Sequence, residues 1–120
     1  MHPRLNHLEH IHEIEAAIAE SATRPVIIFK HSRSCGTSAQ ALDEINEHLD
    51  GSRADVWYGI VTVQTHRDVS SHITSRLGIR HETPQLLLVK DGRVVWQASH
   101  FRVTASAMDA ALDGQPAEVR

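Results

Sequence analysis

Residues 26–42 read "VIIFKHSRSCGTSAQAL". Val26 to Phe29 is a short β-branched and aromatic run, which predicts a buried strand. Ser34 or Cys35 then opens a helix whose inner stripe is Ala39, Leu42, Ile45 and Leu49, with Gly51 suited to its end. A strand that feeds a helix through a short loop puts Cys35, the only cysteine of the chain, at the helix start. Free amides and the helix macrodipole give that position partial positive charge, which favours a thiolate. Arg33 adds a nearby cation, the Ser38 amide or hydroxyl can reach back towards sulfur, and His31 can approach it. The bland alternative is a buried structural thiol. Its neighbours Ser32, Arg33, Ser34, Gly36 and Thr37 are polar or small and read instead as an exposed loop rim.

Outward from this stretch, the helical and extended patterns alternate. Leu8, Ile11, Ile14 and Ile18 recur at helical spacing, and Arg24-Pro25 breaks the chain before the strand. Val56 to Val63, "VWYGIVTV", predicts a second strand. Asp68 can cap a helix with Val69, Ile73 and Leu77 on one face and Gly78 at its end. After Pro84, "QLLLV" predicts a third strand, and Asp91-Gly92 turns it into a fourth, "RVVWQA". Thr104 can cap a last helix bearing Ala105, Met108, Ala111 and Leu112. Strands joined by helices should be parallel, and the last pair antiparallel. The expectation is an α/β protein with a four-stranded mixed sheet flanked by helices.

The whole chain sets further bounds. Its 120 residues suit one domain spanning 1–120, with a flexible tail from about 113. A net charge of −3 argues against nonspecific nucleic-acid binding. No apolar run approaches the ~18 residues needed to cross a bilayer, so no membrane partner is expected. The start lacks a secretory apolar region, and a lone cysteine cannot form an internal disulfide; both favour a reducing cytoplasm.

Two other features bear on chemistry. Thr83-Pro84 precedes a strand, and in this order of elements the bond can be cis and lie beside Cys35. The Thr83 backbone would then be placed to pair with an extended substrate. Of the ten histidines, His7 and His10 share a helical face, but no fixed third ligand accompanies them. Solvated surface histidines, and no metal, are the better reading. His100, just past the fourth strand, reads equally as a functional loop residue and as a capping or surface one.

Taken together, "KHSRSCGTS" (30–38), "HRDVSSHITSRLGIRHETPQLLLV" (66–89) and "DGRVVWQASHFRVT" (91–104) resemble the monothiol bacilliredoxins of the thioredoxin-like superfamily. Lys-His-Ser before the cysteine, Thr-Pro-Gln and Ala-Ser-His occur in the family's order. The resemblance implies a thioredoxin fold, Cys35 as nucleophile, Pro84 as a cis-proline, and bacillithiol as a low-molecular-weight thiol co-substrate with no bound cofactor. Relatives often carry proline after the cysteine; Gly36 stands there and leaves the helix start less rigid.

The implied activity is removal of bacillithiol from S-thiolated cytosolic proteins. Two alternatives stand beside it. "CGTS" is one residue from the Cys-Gly-Phe-Ser of the monothiol glutaredoxins, which carry iron–sulfur clusters, although their Gly-Gly-x-Asp signature has no counterpart in "VVWQASHFRV". A thioredoxin-like binding module without turnover is the third reading.

Overall fold

Each central strand is apolar on both faces, which demands cover on both sides. In the computed structural model, which describes residues 2–34, 36–51 and 55–114, that cover is four helices. The elements run β1 (Leu5–His7), α1 (Ile11–Glu20), β2 (Val26–His31), α2 (Gly36–Leu49), β3 (Trp57–Thr62), α3 (Arg67–Leu77), β4 (Gln85–Lys90), β5 (Arg93–Ser99) and α4 (Ala105–Leu112), with a short 3₁₀ turn at His100–Arg102.

The sheet order is β1-β3-β2-β4-β5. β1 and β2 run parallel to β3, whereas β4 is antiparallel to both β2 and β5. The sheet therefore has five strands, not the four expected. The extra one is a three-residue edge strand, too short to leave an alternation in the sequence. Leu8 accordingly lies beyond β1 and before α1, and Ile11 at the helix start is exposed.

The period of two divides the core. Ile27, Phe29, Tyr58, Ile60, Leu86 and Leu88 face α2 and α4, where Ala41, Ile45, Leu49, Met108 and Ala111 complete one cluster. Val26, Ile28, Val61, Leu87 and Val89 face α1 and α3, meeting Ile14, Ala17, Ile18, Val69 and Ile73. Continuing the alternation along β2 sends Lys30 to the α3 side and His31 to the α2 side.

Several local expectations are adjusted. In α2 the inner stripe is Ser38, Ala41, Ile45, His48 and Leu49, while Ala39 is exposed. His48 is buried because its ring joins three elements: Nδ1 lies 2.7 Å from Asp109 of α4 and Nε2 lies 2.7 Å from the Tyr58 hydroxyl of β3. α3 is capped at His66, with Asp68 inside its first turn, and ends on left-handed Gly78 as expected. Thr104 caps α4 by accepting the Ala107 amide at 3.1 Å.

The β4–β5 hairpin turns on Asp91 (φ 52°) and Gly92 (φ 76°), the paired left-handed conformation that suits the twist of a two-residue hairpin. Ser21, at the end of α1, holds this turn by accepting the Asp91 amide on its carbonyl at 2.8 Å and the Gly92 amide on its hydroxyl at 2.9 Å. Gly59 is needed for close packing: a Cβ there would come within 2.7 Å of Leu8 and 2.8 Å of the Trp57 ring. The expected tail from about 113 falls mainly on 115–120, outside the described residues.

Candidate active site

Cys35 itself lies outside the described residues, and its surroundings in sequence are defined on both sides. β2 ends at His31, Ser32–Ser34 form the connecting loop, and α2 begins at Gly36. The sequence thus places Cys35 directly before a fourteen-residue helix, where the macrodipole argument for an acidic thiol applies.

Ser38 is fully buried, and its Oγ accepts the Ser32 amide at 3.2 Å. The hydroxyl that the sequence suggests as a thiolate partner closes the loop from its helical side. Arg33 is exposed. Its backbone amide is tied down, and the residue borders a depression of about 300 Å³ with His7, Thr62, Thr65 and His66.

Gln64, which sequence reasoning missed, fastens the other side of the loop. Its Oε1 accepts the Arg33 amide at 3.1 Å, and its Nε2 donates to Ser32 Oγ at 2.7 Å and Ser34 Oγ at 3.1 Å. One amide side chain thus satisfies three successive residues, using both its acceptor and its two donors. A lone glutamine after a strand carries no pattern that would have marked it.

His31 packs its ring at 5.6 Å from that of Phe29, tilted by 56°. Its Nδ1 is buried and has no hydrogen-bond partner among the described residues. Burial, and then the Arg33 charge, lower its pKa. The ring is therefore neutral at neutral pH: it can accept or donate a proton, but it supplies no standing positive charge.

The Thr83-Pro84 bond is cis, as expected. β2 and β4 pair with Lys30 opposite Gln85, and one further step of that register brings Pro84 level with His31. Pro84 thus sits at the end of the sheet from which the chain leaves for Cys35. The His100 amide donates to the Pro84 carbonyl at 3.0 Å, and its Nε2 lies 3.5 Å from Glu82. His100 adopts φ 57° and exposes its ring. Its backbone supports Pro84 while its side chain forms a surface contact with Glu82. A bond from the Ser99 hydroxyl is the main cause holding the Glu82 carboxyl below its usual pKa.

The family model for the monothiol bacilliredoxin BrxC matches residues 6–108. The chain belongs to the monothiol bacilliredoxin family. A solved thioredoxin-fold protein described as an oxidoreductase is 31% identical to this bacilliredoxin, with a TM-score of 0.80 over 89% of this chain and 92% of its own. Thioredoxin from Fasciola hepatica superposes with a TM-score of 0.73 at 16% identity, covering 92% of this chain and 98% of that one. Oxidised thioredoxin O2 from Arabidopsis thaliana gives 0.73 at 17% identity, with 95% and 96% covered. The two thioredoxins share the fold alone. Fold and family together support a thiol oxidoreductase in the general sense. Among the described residues, no helix is long and apolar enough to cross a membrane.

Proposed function

We propose that this bacilliredoxin removes bacillithiol from S-thiolated cytosolic proteins through a mixed disulfide on Cys35. The observation that carries the reading is family membership across residues 6–108 in a chain with one cysteine. The Cys35 thiolate attacks the bacillithiol sulfur of the protein mixed disulfide. The old S–S bond breaks, its electron pair leaves on the protein sulfur, and that thiolate takes a proton from solvent. Cys35 now carries bacillithiol. With no second cysteine in the chain, a second bacillithiol thiolate must attack the cap, releasing Cys35 thiolate and bacillithiol disulfide.

The proposed roles follow from position. Arg33 and the start of α2 favour the thiolate by charge, Ser38 and Gln64 hold the loop that carries it, and neutral His31 is the nearest proton acceptor along β2. Thr83 and Pro84, with His100 behind them, form the rim against which an extended substrate backbone would lie.

The reading is tested by incubating a bacillithiol-capped protein with the bacilliredoxin and free bacillithiol, and following the cap by mass. Loss of the cap, with a transient bacillithiol adduct on Cys35, supports it. An inert thiol would favour a binding module, and a coloured, cluster-bearing protein after anaerobic reconstitution would favour iron–sulfur transfer.

A further inference from the structure

Lys30 is an anomaly in this fold. The strand alternation turns it inward beneath α3, and it is completely buried. Its ammonium donates to Thr74 Oγ1 at 3.0 Å and to His81 Nδ1 at 2.7 Å; neither partner is a carboxylate. Burial alone pushes its pKa down, to about 8, which leaves it mostly charged at neutral pH. A buried charge without a counter-ion is costly, and such a charge is usually paired.

Thr74 and His81 are also walls of a cavity of about 440 Å³, completed by Val63, Arg67, Ser71 and their neighbours on α3. Among the described residues its lining offers hydroxyls, a guanidinium and an imidazole but no carboxylate, in a chain whose net charge is −3. The lysine also sets the imidazole's polarity. With Nδ1 accepting from the ammonium, the neutral ring carries its proton on Nε2 and presents a donor at the cavity wall. Burial and the Lys30 charge lower the His81 pKa, against a smaller opposite effect of Glu82, which keeps that ring neutral. Arg67 starts α3 directly after the loop that holds Gln64, so the Val63 and Arg67 wall of the cavity lies at the sheet end from which the chain leaves for Cys35.

We propose that this cavity is an oxyanion subsite, and that it takes the carboxylate end of the low-molecular-weight thiol. The second half rests on the function proposed above: bacillithiol joins its cysteine to a sugar and a dicarboxylate, a hydroxylated acidic body that matches hydroxyl, guanidinium and imidazole donors. The buried Lys30 supplies the field, Arg67 the direct contact, and Ser71 and His81 the hydrogen bonds, while the Thr74 hydroxyl, which donates to the Ser70 carbonyl at 3.3 Å, holds the ammonium in place. The thiol end of the same molecule is then left to reach Cys35.

The experiment has two arms. In the first, Arg67→Gln is compared with wild type using bacillithiol or uncharged β-mercaptoethanol as the regenerating thiol. The preference for bacillithiol, as a ratio of kcat/KM values, should fall about tenfold, the weight of one charge-assisted hydrogen bond. An unchanged ratio overturns the assignment to the thiol. In the second arm, amide NMR spectra of the wild-type protein are recorded with added L-malate or inorganic phosphate. Shifts at Arg67, Ser71, Thr74 and His81 with malate support the oxyanion site even if wild type shows no cap removal, in which case only the catalytic reading has failed. No shift with either anion overturns the site. A response to phosphate but not malate, with an unchanged thiol preference, overturns the carboxylate ligand.

Discussion

Gln64 Nε2 donates to Ser32 Oγ at 2.7 Å, a contact that joins the end of β3 to the loop leading to Cys35. The same side chain bonds Arg33 and Ser34, so the loop is held by a residue thirty positions away rather than by its own turn chemistry. Replacing Gln64 with leucine keeps the volume and removes all three bonds. Stability should fall by only about 1 kcal/mol, because the bonds lie near solvent. Alkylation of Cys35 by iodoacetamide should slow by roughly three- to tenfold, since a loosened loop no longer presents the thiol in one geometry. An unchanged alkylation rate would show that Gln64 is only a surface brace.

Lys30 gives the fold a distinctive pH response. Its pKa falls from an ordinary 10.5 to about 8 in the folded chain. Between those values the unfolded chain holds a proton that the folded chain has released, so stability rises with pH across that window. Below about pH 8 both states carry the charge, and the cost of burying it is felt in full. Denaturant unfolding of wild type should therefore gain on Lys30→Met between about pH 7 and about pH 10. The gain should be of order 1–2 kcal/mol once partial solvation from the neighbouring cavity is allowed for. Parallel profiles for the two proteins would mean that Lys30 titrates like a surface lysine.

The boundary between what the sequence discloses and what it hides follows from the physics of each element. β2, β3, β4 and the hairpin were legible because their apolar runs and Asp91-Gly92 carry strong local signals, and Thr104 and Gly78 mark helix ends by their own chemistry. β1 was not, because three residues on a sheet edge need only one buried side chain, Leu5. At the candidate site the cis Thr83-Pro84 bond was legible, because a proline opening a strand in this order of elements is a recognisable signal. Gln64 and Lys30 were not. Their importance comes from which polar atoms they meet across the fold, and hydrophobic periodicity says nothing about that. A lysine ending a β-branched run reads as a strand leaving the core, when in fact the strand carries it into the space beneath α3.

Gly36 offers a stability test at the helix start. It is exposed, and a Cβ built there meets nothing within 4 Å. Gly36→Ala should stabilise the protein by about 0.4–1 kcal/mol, largely by reducing the freedom of the unfolded chain. Thermal unfolding measures it; a loss of stability would mean that the position needs a backbone conformation only glycine accepts.

The acidity of Cys35 follows from its place before α2 and near Arg33. Its pKa should lie below the free value of ~8.5. A lowered pKa raises the thiolate fraction at pH 7 above the ~3% of a free thiol. Much of that gain in attack is offset by lower nucleophilicity, so the larger benefit falls on regeneration, where Cys35 is the leaving group. The pH profile of alkylation reads the value directly, and a midpoint at or above ~8.5 would refute it. Arg33→Ala should move that midpoint upward.

The central claim is that one sulfur carries the whole cycle, and it is tested most directly by the fate of a bacillithiol cap on a substrate protein. Wild type, Cys35→Ala, Cys35→Ser and Ser38→Ala are each incubated with the capped protein and free bacillithiol, and the caps are followed by mass. Cys35→Ala and Cys35→Ser should fold normally and leave the cap in place, since neither an alkyl group nor a hydroxyl is a thiolate at neutral pH. Ser38→Ala should be slowed only in part, because it loosens the loop without removing the nucleophile. Cap removal by Cys35→Ala at the wild-type rate would contradict the account.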